Sequence, residues 1–437
     1  MMLNRLVLVV FAMALAFAAP SSAQVCGGDC DGSCDVTVDE ILTMVNGALG
    51  LSPVESCPAG DTNSDGAITV DEILAGVTNA LEGCNGLPCR SPETRCAVPG
   101  GTGVNVGTQD CQFLSSYRFF VAPAAQQRPN EGVIPYDLNT ALFSDFTEKH
   151  RFVWLPPGTR AQYEERRPFE FPVGTVIIKT FAYPNDQTDS DAGEDILETR
   201  LLIHRADGWV GLPYVWNAAR SDAELRLVGA TLQVSGVQAD GEFGTFPYFV
   251  PNANQCKACH RAFDDKMAPI GPNARNLNKD FAYADGSANQ LVRWTELGIL
   301  AGAPTDPQSA PRAAAFDDPT SGSVELRARA YLDVNCAHCH NETGPARPSG
   351  LWLEYDQTNP THVGVCKQPV AAGKGTGGFS HAIDPGSPDT SILTFRMAST
   401  ETDIMMPELG RTRVHTEGLE VIRAWIAEME GECVLED

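Results

Sequence analysis

Two copies of one five-residue pattern constrain this chain more than any other feature. Cys256-Lys257-Ala258-Cys259-His260 and Cys336-Ala337-His338-Cys339-His340 both read C-x-x-C-H. That spacing is the attachment site of a c-type haem: two thiols add across the vinyl groups of one porphyrin, and the adjacent imidazole ligates the iron. With 14 Cys and 8 His in 437 residues, one chance match is expected on the order of 0.01 times. The competing readings are a zinc site that recruits thiolates from both pairs and a redox C-x-x-C, which needs no trailing His. The expected cofactors are therefore two covalently attached haem c groups. Cys256, Cys259, Cys336 and Cys339 are the thioether positions, and His260 and His340 the proximal iron ligands.

Ten cysteines remain: Cys26, Cys30, Cys34, Cys57, Cys84, Cys89, Cys96, Cys111, Cys366 and Cys433. An even remainder fits an oxidising compartment and up to five disulfides, with the pairing left open. The N-terminus agrees. Asn4 and Arg5 precede an apolar run from Leu6 to Ala19, and Ser21-Ser22-Ala23 offers a small-residue cleavage site. Residues 1–23 read as a signal peptide, the mature chain starts at Gln24, and the protein is periplasmic or extracellular. No later segment is apolar enough to span a membrane. A net charge of −25, from 56 acidic and 31 basic residues, excludes nucleic acid as a partner, because phosphate binding needs a basic surface.

An internal repeat follows the signal. Thr37-Val38-Asp39-Glu40-Ile41-Leu42 recurs 32 residues later as Thr69-Val70-Asp71-Glu72-Ile73-Leu74. Ile41, Val45 and Leu49 share one helix face, as do Ile73, Val77 and Leu81, so two helices are expected to bury these stripes against each other. The second preceding loop has the EF-hand pattern: Asp61, Asn63, Asp65, Ala67, Thr69 and Glu72 at the ligand positions, with Gly66 at the turn. The first loop is weaker. Asp29, Asp31, Ser33, Asp35, Thr37 and Glu40 occupy comparable positions, but Cys34 replaces the glycine. One or two calcium ions are expected; an acidic capped turn without metal is the alternative.

Five segments are expected after the signal. Residues 24–86 form the loop-helix module, and 87–112 a Gly/Pro/Cys linker. Residues 113–255 read as β-rich, with strand-like runs such as Phe169 to Phe181. Residues 256–322 carry the first haem motif. Residues 323–437 have the layout of an α-helical class I cytochrome c domain: a helix into Cys336, a C-terminal amphipathic helix from Thr416 to Glu430, and Met405-Met406-Pro407 between them. The fold class is thus multidomain α+β. Met406, 66 residues after His340, is the expected sixth iron ligand of the second haem, with Met405 as fallback. For the first haem three options stay open: Met267, a remote His150, His204, His381 or His415, or a vacant position.

Stretches including Pro135-Tyr136-Asp137-Leu138-Asn139-Thr140, Phe152-Val153-Trp154-Leu155-Pro156-Pro157-Gly158, Pro251-Asn252-Ala253-Asn254-Gln255-Cys256 and Met405-Met406-Pro407-Glu408-Leu409-Gly410 carry a resemblance. From about Leu114 to Trp425 the chain resembles an uncharacterised family of secreted bacterial dihaem c-type cytochromes. Residues 26–84 resemble dockerin-type calcium modules. The first resemblance implies two covalent haems and extracytoplasmic electron transfer with an unnamed redox partner. The second implies docking to a cohesin-like or surface partner. A dihaem peroxidase-like oxidoreductase with an open first iron, and a calcium-dependent docking or scaffold protein, are the other functional expectations.

Overall fold

The structure, a computed structural model, describes residues 26–30, 36–63, 65–84, 96, 101–261, 266–370 and 372–434. It divides into two compact units, residues 1–94 and 95–437.

The first unit holds α1 (Val38–Ala48) and α2 (Val70–Glu82). Each helix starts at a threonine, Thr37 or Thr69, in a capping box with Glu40 or Glu72. The reciprocal bonds satisfy amide groups that the first helical turn leaves unpaired. Met44, Cys57 and Ile68 are the buried core, with Ile73 packed beside them. Such a core is small, and two disulfides, Cys26–Cys84 and Cys30–Cys57, staple it. The expected apolar stripes differ in extent. Leu49 and Leu81 are 67% and 82% exposed, because Met44, pointing between the helices, fills the place those leucines would take.

In the second unit, β1 (Val133–Tyr136), β2 (Glu148–Trp154), β3 (Ala161–Gln162), β4 (Val176–Pro184), β5 (Glu194–Arg205), β6 (Gly208–Trp216) and β7 (Ala223–Leu225) follow in sequence. All but β3 form one antiparallel sheet in the order β1-β2-β4-β5-β6-β7. β-Branched and aromatic residues dominate β4, and leucines and isoleucines fill much of β5, which suits a pleated surface buried on both sides. Alternation assigns the faces. One presents Phe152, Ile178, Leu201 and Tyr214 to Leu114, Tyr117 and Phe119. The other presents Tyr136, Val153, Ile177 and Leu202 to Leu277, Leu291 and Trp294.

A separate ribbon, β8 (Ala230–Val237) with β9 (Phe243–Val250), leads into α3 (Ala253–His260). Next come α4 (Ala274–Leu277), the β10 (Asp280–Tyr283) and β11 (Gly286–Asn289) hairpin, α5 (Gln290–Glu296), and β12 (Leu300–Ala301), which pairs in parallel with β3. The C-terminal part contains α6 (Val324–Leu332), α7 (Pro360–Val363), α8 (Ile392–Ala398) and α9 (Thr416–Ala427).

This architecture corrects the expected fold class. The chain is β-rich around a large antiparallel sheet, and an α-helical class I cytochrome c-like domain over residues 323–437 is not present. That segment belongs to the same compact unit as the sheet. Its helices are short: 9 residues in α6, 4 in α7, 7 in α8 and 12 in α9. The reason lies between residues 344 and 388, where prolines 345, 348, 360, 369, 385 and 388 and repeated glycines remove helical amides or favour other backbone conformations. α6 and α9 pack closely, and Gly418 permits it: a Cβ there would lie 2.3 Å from the Tyr331 ring.

Candidate functional site

The first C-x-x-C-H motif is the second half of α3. Asn252 and Gln255 cap the helix reciprocally, at 2.9 Å each way. Cys256 is buried and rests on β6 at Gly211, where a Cβ would come within 2.9 Å of the Cys256 Cβ. At the end of the helix Ala268 clamps His260. Its amide donates to the His260 carbonyl at 2.9 Å, and its own carbonyl lies 2.9 Å from His260 Nδ1. A carbonyl only accepts, so Nδ1 carries the proton and Nε2 is left with its lone pair. That tautomer is the one an iron ligand requires.

The second motif follows α6 through a π-helical turn, Asp333–Ala337. Such turns insert one residue into the helical register and re-aim the side chains after them. Within the motif, the Cys339 and His340 amides donate to the Cys336 carbonyl at 3.1 and 2.9 Å. His340 Nδ1 lies 3.1 Å from Ser349 Oγ. That hydroxyl already donates to the Ala346 carbonyl at 2.7 Å, so it accepts from His340. Again Nε2 is left free. Burial pushes both imidazoles down to a pKa of about 4, which keeps them neutral.

A cavity of about 700 Å³ is lined by Cys256, Cys259 and His260 from the first motif and, from the second, by His338 alone; Cys336, Cys339 and His340 are not part of its lining. The volume falls within the roughly 300–1,000 Å³ typical of cofactor sites. Two rungs of the sheet form its floor. One is apolar: Ile177, Leu202 and Gly211, side by side on β4, β5 and β6. The neighbouring rung is cationic: Arg151, Lys179 and Arg200, directly opposite one another on β2, β4 and β5. Arg151 meets Asp137 at 2.8 Å, and Arg200 meets both oxygens of buried Glu198, at 2.8 and 2.5 Å. Lys179 has no ion pair among the described residues. Burial, then the Arg151, Arg200 and Lys149 charges, holds its ammonium well below the ordinary lysine pKa. The cavity thus has an apolar rung, thiols at one wall, and on its floor a lysine without an ion pair between two ion-paired arginines, a setting in which an anionic group on a largely apolar ligand would find partners.

Met405 and Met406 also line this cavity, in a loop held by Arg411. The buried Arg411 guanidinium donates to the backbone carbonyls of Met406, Ser399 and Arg413, at 2.8, 2.9 and 2.9 Å. Two ties fasten this C-terminal wall to the sheet side. Asn335 accepts from the Phe143 amide at 2.8 Å, and Asp145 accepts from the Thr412 and Arg413 amides at 2.7 and 2.9 Å.

The cysteines sort cleanly. Among the described residues Cys96–Cys111 and Cys366–Cys433 join the two disulfides of the first unit, while Cys256, Cys259, Cys336 and Cys339 stay unpaired. Cys34 and Cys89 lie outside the described residues. Burial raises the Cys256 and Cys259 thiols and pushes those of Cys336 and Cys339 up to about 12. Neutral thioethers suit that setting better than thiolates. The four sulfurs also fail to converge as zinc requires. Among the described residues, the one group of three His, Cys, Asp or Glu ligand atoms within 4.8 Å of each other is His381, Asp384 and Cys433. Cys433 there is already in a disulfide.

The residues expected as candidates for a sixth ligand separate. Met267 packs beside Cys256 under Gly211 and does not line the cavity. His150 pairs with Glu194. His204 bonds to the Phe171 carbonyl at 2.9 Å and stacks on Trp209. His381 lies away from the cavity, near Asp384. His415 does line it, but its Nδ1 meets the Tyr331 hydroxyl at 3.0 Å and its ring stacks on Phe143. Sequence reasoning passed over His338, the cationic rung and Arg411. The signals were a histidine inside C-A-H-C-H and a lysine interrupting the apolar run of β4.

In the first unit, the second acidic loop is curled by its own groups. Asp61 accepts from the amides of Asp65 and Gly66, and Asp65 from that of Ala67. Gly66 adopts φ +86°, the left-handed turn the EF-hand loop needs. Burial works to raise the Glu72 pKa, yet bonds from Thr69, Thr62 and Asn63 hold it below the ordinary value. Glu72 thus closes the loop by accepting amides rather than by joining Asp61 and Asp65 in one cluster. Asn63 and Thr69 lie in the same loop. In the first loop Glu40 accepts from Thr37 and Asp29 is buried. Asp31, Ser33 and Asp35 lie outside the described residues.

Comparison of the chain with family models, with curated proteins and with solved structures finds no match. No helix among the described residues is long and apolar enough to cross a membrane. With four disulfides, this is compatible with a secreted or periplasmic protein. The expected signal segment lies outside the described residues.

Proposed function

We propose that this chain is a secreted dihaem c-type cytochrome that transfers single electrons and carries a calcium-binding module at residues 24–86. The observation that supports this most is the state of the two C-x-x-C-H motifs. Their four thiols are unpaired in a chain that otherwise pairs its described cysteines, and both histidines keep Nε2 free by engaging Nδ1. Bound haem c would supply a one-electron iron couple. The chain's part is to tether it through Cys256, Cys259, Cys336 and Cys339, to ligate through His260 and His340, and to offer Met406, with Met405 beside it, to the second iron. Thioether sulfur at that position raises the potential. Arg151, Lys179 and Arg200 would neutralise propionates, and the apolar rung excludes water.

The test is expression with a c-type maturation system and intact-mass measurement. Two haem increments, falling to one when Cys256 and Cys259 become Ala, are expected. A chain that matures without haem overturns the proposal. Peroxidase chemistry is separated in the same sample. Rapid carbon monoxide binding and peroxide turnover would replace the carrier reading with the oxidoreductase one.

A second reading, docking through the module, draws on the repeat. Val38, Leu42 and Leu49 on α1 and their counterparts Val70, Leu74 and Leu81 on α2 are all more than half exposed. A duplicated apolar surface on a small calcium-dependent unit suits a cohesin-like or surface partner. Deletion of residues 24–86 is expected to abolish capture of that partner and to leave haem spectra unchanged. Calcium is expected to raise the module's thermal midpoint and EDTA to lower it.

A further inference from the structure

We infer that His338 is the second axial ligand of the haem attached at Cys256 and Cys259, so that the interior of one attachment motif completes the iron sphere of the other. This rests on the haem reading above. The sequence has 8 histidines. His260 and His340 engage Nδ1 as proximal ligands do. His150, His204 and His415 are committed as described, His381 lies away from the cavity, and His362 bonds to the Gly350 carbonyl at 3.2 Å and stacks on Trp352. His338 alone lines the first motif's cavity without such a commitment. Its Nδ1 is closed off from solvent, and the nearby Val334 carbonyl is not met in hydrogen-bonding geometry.

One further feature agrees. The π-turn Asp333–Ala337 stands directly before His338. That extra residue rotates position 338 relative to an unbroken α6, and π-turns concentrate at functional sites. His338 is partly exposed as a whole, but its solvent-closed, unpartnered nitrogen is costly unless something in the cavity satisfies it. An iron opposite His260 would do so. The two haems would then be chemically unequal, one between two imidazoles and the other between imidazole and thioether, and the second would have the higher potential.

The experiment uses the full matured chain, with intact mass, low-temperature electron paramagnetic resonance and near-infrared magnetic circular dichroism. The wild type should carry two haems, one with a bis-histidine signature and one with a histidine–methionine signature. In His338→Ala the bis-histidine signal should vanish. One haem should become high-spin and bind carbon monoxide on reduction, and added imidazole should restore the low-spin spectrum. His338→Met should convert that haem to a second histidine–methionine centre. Changing Cys256 and Cys259 to Ala should remove the same signal. The inference is overturned if the wild type carries two haems without a bis-histidine centre. It is equally overturned if that signal survives in His338→Ala or in the Cys256/Cys259 variant. A wild type without haem overturns the haem reading itself, which intact mass detects separately.

Discussion

Lys179 stands between Arg151 and Arg200 on the cavity floor, and like charges directly opposite on adjacent strands repel by roughly 0.2–1 kcal/mol per pair. A charge in that position is tolerable only if something anionic arrives. Lys179→Met is therefore expected to act with opposite signs in two forms of the protein. Without haem it should raise the thermal midpoint. With haem it should lower the reduction potential of one centre, because a positive charge near the iron favours the ferrous form. Asp137 carries the complementary prediction. Burial opposes its charge, but Arg151 and Lys279 hold its pKa below the ordinary 3.8. Its ion pairs thus stabilise the fold above that pH, and the contribution is lost as pH falls further. Thermal midpoints followed between pH 5 and pH 2.5 should drop less steeply in Asp137→Asn. At this scale the attachment residues were legible because the chemistry is contiguous. The cationic rung was not, because its three members are separated by 49 residues of chain and meet only once strand register is fixed.

Among the elements, α3 depends on one contact with the sheet. Gly211→Ala would push a methyl group into Cys256, at a cost of about 1–3 kcal/mol. Intact mass should show partial loss of the first haem and retention of the second. Gly418→Ala should be worse, since the Tyr331 ring at 2.3 Å is hemmed in by α6 and α9. A lower thermal midpoint with loss of the second haem's low-spin band is expected. Helix periodicity identified α1, α2, α6 and α9 correctly as helices, but it could not tell how much lies between them. Proline and glycine density over residues 344–388 is the sequence signal against a helical domain there, and the motif–Met–helix layout outweighed it in the expectation. The π-turn left no sequence signal at all, since its extra residue is accommodated by tertiary contacts such as that of Asn335 with Phe143.

For the whole molecule, the separation of the motifs by 80 residues suggested two independent sites, whereas the fold returns the second to the first. The route is long-range and closed by side chains, Asp145 to Thr412 and Asn335 to Phe143, that no local pattern announces. The Cys366–Cys433 bridge closes 67 residues downstream of the second motif, a loop that includes Met405 and Met406, worth about 4 kcal/mol on chain-entropy grounds. Changing both to Ser should lower the midpoint of the second unit and leave that of the first unchanged, by calorimetry. The cavity's later wall has one more consequence. Tyr331, His338, Met406 and His415 all follow Cys256 in the chain and line the space over it. On the haem reading proposed above, a porphyrin edge would have to reach Cys256 and Cys259 before those residues fold into place, so attachment would precede closure. Maturation would then act on an open chain, with the downstream motif still accessible, and the first cofactor would be closed in by chain that folds after it.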